Sequence, residues 1–392
     1  MKKVSFFIFI TAFVFLGACK SRSKLIVRIT NSLETPRSFE TVEIRKSDLS
    51  LRKGINFENL SVQDVASKEI LISQLVDENQ DGKMDILLFQ PKVEAKKSKQ
   101  FELLVVDESL KPKAEVFCYS RFVPERTDDY AWENNKVAFR TYGPVAQKMI
   151  EDGIKGGTLS SGIDAWLKKV EYPIINKWYE KTTTGQGSYH EDTGEGLDNF
   201  HVGISRGVGG IAVKKDTSFY VSKNFTSWKT ITTGPIRTSF VLEYAAWEAN
   251  GQPITEKKYI SLDYGSNFSK FEIELTGTDA IFAGLTLHEK DGQTTQRNTE
   301  GWISYWQPHE NSELGTAIII PNNGLITSEL YNTPTKDWSN FYAQIKVLNG
   351  KAVYYAGFGW KEAKEFTSQE DWENHLAQFA LKVNNPLTVR YN

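Results

Sequence analysis

Phe271, Ile273 and Leu275 alternate with Glu272 and Glu274 in the run KFEIELTG. Successive side chains on a β-strand point to opposite faces, so this spacing predicts a strand with one dry face and one wet one. Similar runs fill the chain from about residue 200 onward: SFYVSKNFTSWKTITTG, PIRTSFVLEYAAWEA, KKYISLDYG and AVYYAGFGW. Long strands joined by polar turns must bury their apolar faces against one another, which predicts a large antiparallel β-sandwich. A second set of runs precedes it: KLIVRIT, SFETVEI, KEILISQLV, MDILLFQ and QFELLVV. Their length and spacing predict a small Ig-like β-sandwich. The chain is therefore expected to be mainly β, with a few helices.

Aromatic residues divide the two regions. All 10 Trp, all 16 Tyr and all 5 His lie at or beyond Tyr119. We place the boundary in DESLKPKAE, with the small sandwich over 20–115 and the large domain over 116–392. Between the two sets of strands, Ile163, Trp166, Leu167 and Val170 recur at helical spacing and predict a helix interrupted at Pro173.

The N-terminus reads MKKVSFFIFITAFVFLGACKS. Two lysines, a short apolar run and small residues make an export signal over 1–19, too short for a membrane-spanning helix. LGAC fits the bacterial lipobox, with Cys19 as the lipid-modified residue. The expected location is the cell envelope, periplasm or outer membrane, with the lipid as the membrane contact. Only Cys118 then remains, so no disulfide can form within the mature chain. It lies in the apolar run AEVFCYS and is expected to be a buried, inert thiol. A net charge of −2 without a basic patch gives no sign of nucleic-acid binding.

Asp77, Asn79, Asp81 and Asp85, with Gly82, match the front half of a calcium loop. Leu88 stands where that loop would need a glutamate, and the flanks read as strands. A structural Ca²⁺ and an empty Asp/Asn/Gly turn fit the residues equally well.

Three stretches concentrate chemistry. One holds Arg126, Asp128, Trp132 and Glu133; the next, SYHEDTGEGLDNFHVG, holds Tyr189, His190, Asp192, Asp198 and His201; the third begins at Arg206. Trp and Tyr stack on sugar faces, carboxylates pair with hydroxyls, and Arg forks a carboxylate. Trp306 and His309, in SYWQPHE, could add a platform and a reserve base. His190 and His201 with Asp192 and Asp198 could also hold a metal, although no metal-site spacing supports it.

The motifs VPERTDDYAWENNKVAFRTYGP, SGIDAWLKKVEYPIINKWY and SYHEDTGEGLDNFHVGISRGVGG resemble a domain-of-unknown-function family of exported lipoproteins from polysaccharide-degrading bacteria. Its members are encoded beside polysaccharide lyases and unsaturated-uronyl hydrolases. The resemblance implies an oligosaccharide dehydratase of the ulvan-degrading type. Such an enzyme removes water from a saturated uronic acid at the non-reducing end and leaves a 4,5-unsaturated sugar. It also implies a galactose-mutarotase-like supersandwich for the large domain.

For that chemistry we expect His190 as base, Arg206 or Arg126 on the uronate carboxylate, and Tyr189 or Asp192 as proton donor. Asp128, Trp132, Glu133, Asp198, His201, Trp306 and His309 are expected to bind substrate. No cofactor is required. A glycoside hydrolase, a polysaccharide lyase or a non-catalytic glycan-binding lipoprotein would have the same composition.

Overall fold

The computed structural model describes residues 24–51 and 54–392; Cys19 and the export segment lie outside the described residues. The chain is mainly β, as the alternation predicts: a small sandwich is followed by a large antiparallel one.

The small sandwich packs two sheets face to face. One contains Leu25–Thr30, Ser98–Val105, Leu60–Asp64 and Ile70–Leu71; the other contains Val42–Arg45, Ile86–Phe89 and Ser73–Val76. Val27, Ile29, Ile44, Val62, Phe89 and Phe101 fill the space between them. The small sandwich draws on both ends of the described chain. The C-terminal strand Thr388–Tyr391 returns to pair with Leu25–Thr30, so the small sandwich is not a contiguous segment. Leu387, Val389 and Tyr391 pack on its core.

The large sandwich opposes a five-stranded sheet and a nine-stranded one. The first runs through Val208–Lys215, Ala280–Thr286 and Asn340–Lys346; the second is centred on Gln252–Asp263, Phe268–Thr276 and Lys351–Trp360. Phe271, Ile273 and Leu275 do face the core between them. The C-terminal helix Gln369–Asn384, capped by the Ser368 hydroxyl, packs Trp372 and Leu376 against the outside of the nine-stranded sheet.

A further five-stranded sheet lies between Tyr119 and Leu197. Its order is Gly196–Leu197, Asp164–Lys168, Ala138–Thr141, Asp129–Glu133 and Tyr119–Val123. Here the helical spacing of Ile163, Trp166, Leu167 and Val170 misleads, because 164–168 is a strand. Ala165 and Leu167 point into the main core, while Asp164, Trp166 and Lys168 take the opposite face. The helix begins beyond Pro173, at Ile175–Thr183, and covers that second face with Trp178 and Tyr179.

Gln74 joins the small sandwich to the large one. Its amide donates to the Arg237 carbonyl and accepts from the Ile236 and Arg237 amides. Cys118 is buried beside Gly234, and burial pushes its thiol well above the ordinary range, as an inert thiol requires.

The Asp77–Asp85 loop turns its oxygens onto its own main chain. Asp77 accepts the Asp81 and Gly82 amides, Asn79 accepts Asp81, and Asp85 accepts Glu78 and Asn79. Among the described residues no group of three or more His, Cys, Asp or Glu is placed to hold a metal.

The C-terminal strand makes a testable claim. Ending the chain at Pro386 should lower the urea-unfolding free energy by at least about 2 kcal/mol, because Leu387, Val389 and Tyr391 leave the core. An unchanged unfolding midpoint would show that the strand contributes nothing.

Candidate active site

The site forms on the polar face of the 119–197 sheet, because strand alternation puts its charged residues there. Tyr130, Trp132 and Phe139 enter the main core; Asp129, Arg140 and Asp164 share the opposite face. Arg140 stands directly across from Asp164 in the strand register. Its Nε donates to Asp164 Oδ2 at 2.9 Å, and its Nη2 lies 2.5 Å from the same oxygen and 2.8 Å from Asp198 Oδ2. Asp129 Oδ2 is 3.6 Å from Nη1.

The loop 188–203 brings Asp198 to this cluster. Gly196 makes that possible: its φ is +108°, and a Cβ there would meet the Leu167 carbonyl oxygen at 1.9 Å. The Asp198 amide then bonds the Tyr189 carbonyl at 2.8 Å, closing the loop over the sheet.

One guanidinium therefore faces three buried carboxylates. Burial works against the Arg140 cation, but Asp198 and Asp164 outweigh it and hold it charged. The carboxylates cannot all stay ionised. Burial pushes Asp129 up to about 6 despite Arg140 and Arg126. Burial and then the Asp198 charge push Asp164 well above the carboxylate range, and its Oδ1 has no hydrogen-bond partner among the described residues. Tyr179 donates to Asp129 at 3.1 Å, and Arg140 sits over the Trp166, Tyr142 and Tyr189 rings.

Above this cluster opens a cleft of about 580 Å³. Its polar wall consists of Arg140, Tyr142, His190, Asp198, Asn199 and His201; its apolar wall includes Ile150, Leu159 and Ile204. His190 is 57% exposed, and its Nδ1 lies 2.6 Å from the Asp198 carbonyl oxygen. A carbonyl only accepts, so in the neutral ring Nδ1 carries the hydrogen and Nε2 keeps a lone pair. His201 Nε2 lies 3.0 Å from Asp337 Oδ2. His288 Nε2 bonds the His201 carbonyl at 2.8 Å and sets that stretch of backbone.

Of the expected residues, the structure gathers His190, Asp198 and His201 on the cleft, with Tyr189 and Arg126 beside them. Tyr189 is buried, and its hydroxyl accepts from Arg126 Nε at 3.0 Å and Arg140 Nη1 at 3.3 Å. Its ring lies 4.5 Å from that of His190.

The remaining assignments need correction. Arg206 is buried away from the cleft, donating to Ser161 Oγ and to the Ile211 and Ile204 carbonyls, so it cannot fork a substrate. Asp192 binds Lys169 and caps the Gly194 and Gly196 amides. Burial would raise it, but those partners outweigh burial and hold it below the ordinary range, so it has no proton to give.

Trp132 is core, with its indole on Ser269. Glu133 is buried against Lys168 and accepts the Ile174 and Ile175 amides, anchoring the start of the helix. Asp128, at φ +64°, takes the Val145 amide at the start of the helix Pro144–Glu151. Trp306 packs under the C-terminal helix, its indole on Glu313. His309 is pushed down to about 4, first by burial and then by His288, and does not line the cleft. His190 pairs with Asp198, while Asp192 turns to Lys169 and His201 to Asp337, and the four form no metal-binding group among the described residues.

Sequence reasoning missed Arg140, Tyr142, Asp164 and Asp129 as site residues. For Asp129, Arg140 and Asp164 the signal was present, as charges inside the short apolar runs DYAWE, AFRT and DAWLK.

A family model described as "Domain of unknown function (DUF4861)" matches residues 29–389, and the chain belongs to that family. A Formosa agariphila protein named "Uncharacterized protein P7" is 59% identical over 392 residues, with 99% of each chain covered. A solved glycosyl hydrolase family 38 protein from Enterococcus faecalis shares the fold with a TM-score of 0.52 at 10% identity, covering 94% of this chain and 47% of that one. An α-mannosidase from Enterococcus faecalis V583 matches at a TM-score of 0.43 and 10% identity, over 94% of this chain and 46% of its own. This chain spans about half the length of either solved structure, and the likeness to the first is one of fold.

Asp129 generates a prediction. Its carboxyl titrates near 6 when folded, against 3.8 as the ordinary value, so the folded state binds more protons between those pH values. Stability should fall as pH rises through that window, by on the order of 2–3 kcal/mol in all. In Asp129→Asn, unfolding measured from pH 4 to 7 should lose that part of the slope. An identical slope in the variant would assign it elsewhere.

Proposed function

We propose that this DUF4861 protein is a carbon–oxygen lyase that removes water from a non-reducing-end uronic acid of an anionic, ulvan-like oligosaccharide. One observation carries the reading: among the described residues Asp198 is the only carboxylate on the cleft lining, and Arg140 already holds it. A two-carboxylate glycosidase needs an acid and a second carboxylate at the sugar. This cleft instead offers an imidazole whose Nε2 lone pair is left free by its tautomer.

In the proposed step His190 Nε2 takes the C5 proton. The C5–H electrons become the C4–C5 double bond. The C4–O bond breaks, and the oxygen takes a proton and leaves as water. Chain length does not change.

The uronate carboxylate is assigned to Arg126. Its Nε is held by Tyr189 and its Nη1 by Thr127, while Nη2 has no partner among the described residues. The same reading needs no cofactor. It places the mature chain in the cell envelope, anchored through lipid on Cys19, where it would meet its glycan.

The test is ultraviolet absorbance and product mass with saturated uronate-ended oligosaccharides. Absorbance should rise with loss of one water. His190→Ala should fold and lose at least roughly a hundredfold in turnover. Shortened products would indicate hydrolysis or chain-cleaving elimination instead, and binding without reaction would indicate a glycan-binding protein. Near-normal turnover in His190→Ala would remove His190 from the mechanism.

A further inference from the structure

Removing a 4-hydroxyl as water needs an acid as well as a base, because hydroxide is a poor leaving group. We infer that Tyr142 gives the proton to the departing 4-oxygen, and that Asp164 behind it is the positioning residue that governs whether it can. This rests on the elimination reading and extends it to a residue that neither composition nor spacing had marked.

Tyr142 is the one phenol on the cleft lining. Its hydroxyl lies 3.4 Å from Asp164 Oδ2, and the Arg140 guanidinium lies 5.4 Å from its ring centre. The other acid–base groups on that wall are committed elsewhere. The His201 ring is bound to Asp337, and His190 Nδ1 to the Asp198 carbonyl. Asp192, the donor first expected, is an ionised cap in the loop.

As Tyr142 releases its proton, the developing phenolate faces Asp164. An ionised Asp164 would repel it; a neutral one would not, and would leave Arg140 as the dominant nearby charge. The cluster favours the neutral form. Asp164 is fully buried, shares Arg140 with Asp198 and Asp129, and carries an Oδ1 without a partner, where a proton can sit. Burial and then the Asp198 charge raise its carboxyl well above the usual range. Burial likewise raises the Tyr142 phenol, so the phenol keeps its proton until the substrate oxygen takes it. The remaining charged or titratable groups around this pair are Arg126, Tyr179 and Tyr189.

The protons balance. His190 gains the C5 proton, Tyr142 loses one to the leaving oxygen, and water departs. Solvent then takes the proton from His190 and returns one to Tyr142. Asp164 keeps its own proton throughout. Turnover should therefore fall as pH rises through the ionisation of Asp164.

The experiment uses the full mature chain, with kcat and KM measured against pH for the wild type, Tyr142→Phe and Asp164→Asn. Tyr142→Phe keeps the ring and its packing, and should lower kcat about a hundredfold with KM little changed. Asp164→Asn should lower kcat less and move the alkaline limb to higher pH. Infrared spectra of the resting protein, without substrate, should show a neutral carboxyl band that Asp164→Asn removes.

Turnover in Tyr142→Phe within tenfold of wild type would overturn the inference. So would an unchanged alkaline limb in a folded Asp164→Asn, or a band that survives it. If Asp164→Asn does not fold, the Tyr142→Phe kinetics decide. Failure of every uronate to react would instead sink the elimination reading, while the infrared band would still report on Asp164.

Discussion

Arg140 organises the polar face of this protein. A single guanidinium inside a β-sheet would be costly to bury alone, and three carboxylates answer it from three places in the chain. Asp129 comes from a strand two pairings from Asp164, and Asp198 comes from a loop. The arrangement over-supplies negative charge, so protons must make up the difference. Loop closure, the placement of His190 and the setting of Tyr142 all follow from satisfying that one cation.

The two faces of the same sheet explain why such a cluster is tolerated. One face contributes Tyr130, Trp132 and Phe139 to the main core and is held rigidly there. The other is roofed by the helix Ile175–Thr183 and by Tyr189, which keep water from the carboxylates without filling the cleft beside them. A rigid sheet behind and a loop in front is a common way to hold reactive groups in fixed geometry.

Much of this was legible in the residues. Period-two alternation predicted both sandwiches. The loop 188–203, singled out for its charges and glycines, places His190, Asp198 and His201 on the cleft. What escaped reading had physical causes. Ile163, Trp166, Leu167 and Val170 satisfy helical spacing, yet the segment is a strand buried on both faces, with Ala165 and Leu167 on one and Trp166 on the other. Arg206 and Arg140 look alike in sequence, but one is enclosed by carbonyls and a serine and the other by carboxylates. Trp132, Glu133 and Trp306 are chemically suited to a sugar but belong to the interior. Burial depends on partners distant in the chain, and single-residue chemistry does not reveal it.

The return of Thr388–Tyr391 to the first strand has a consequence for how the molecule is made. Synthesis runs from the first residue to the last, so Leu25–Thr30 emerges long before its edge partner. The large sandwich pairs mostly strands near each other in the chain and can assemble while synthesis continues. The small sandwich cannot complete this sheet until Thr388–Tyr391 is released. A chain interrupted anywhere after the large body would therefore carry an open, unpaired sheet edge, the surface that marks an unfinished protein for aggregation or removal.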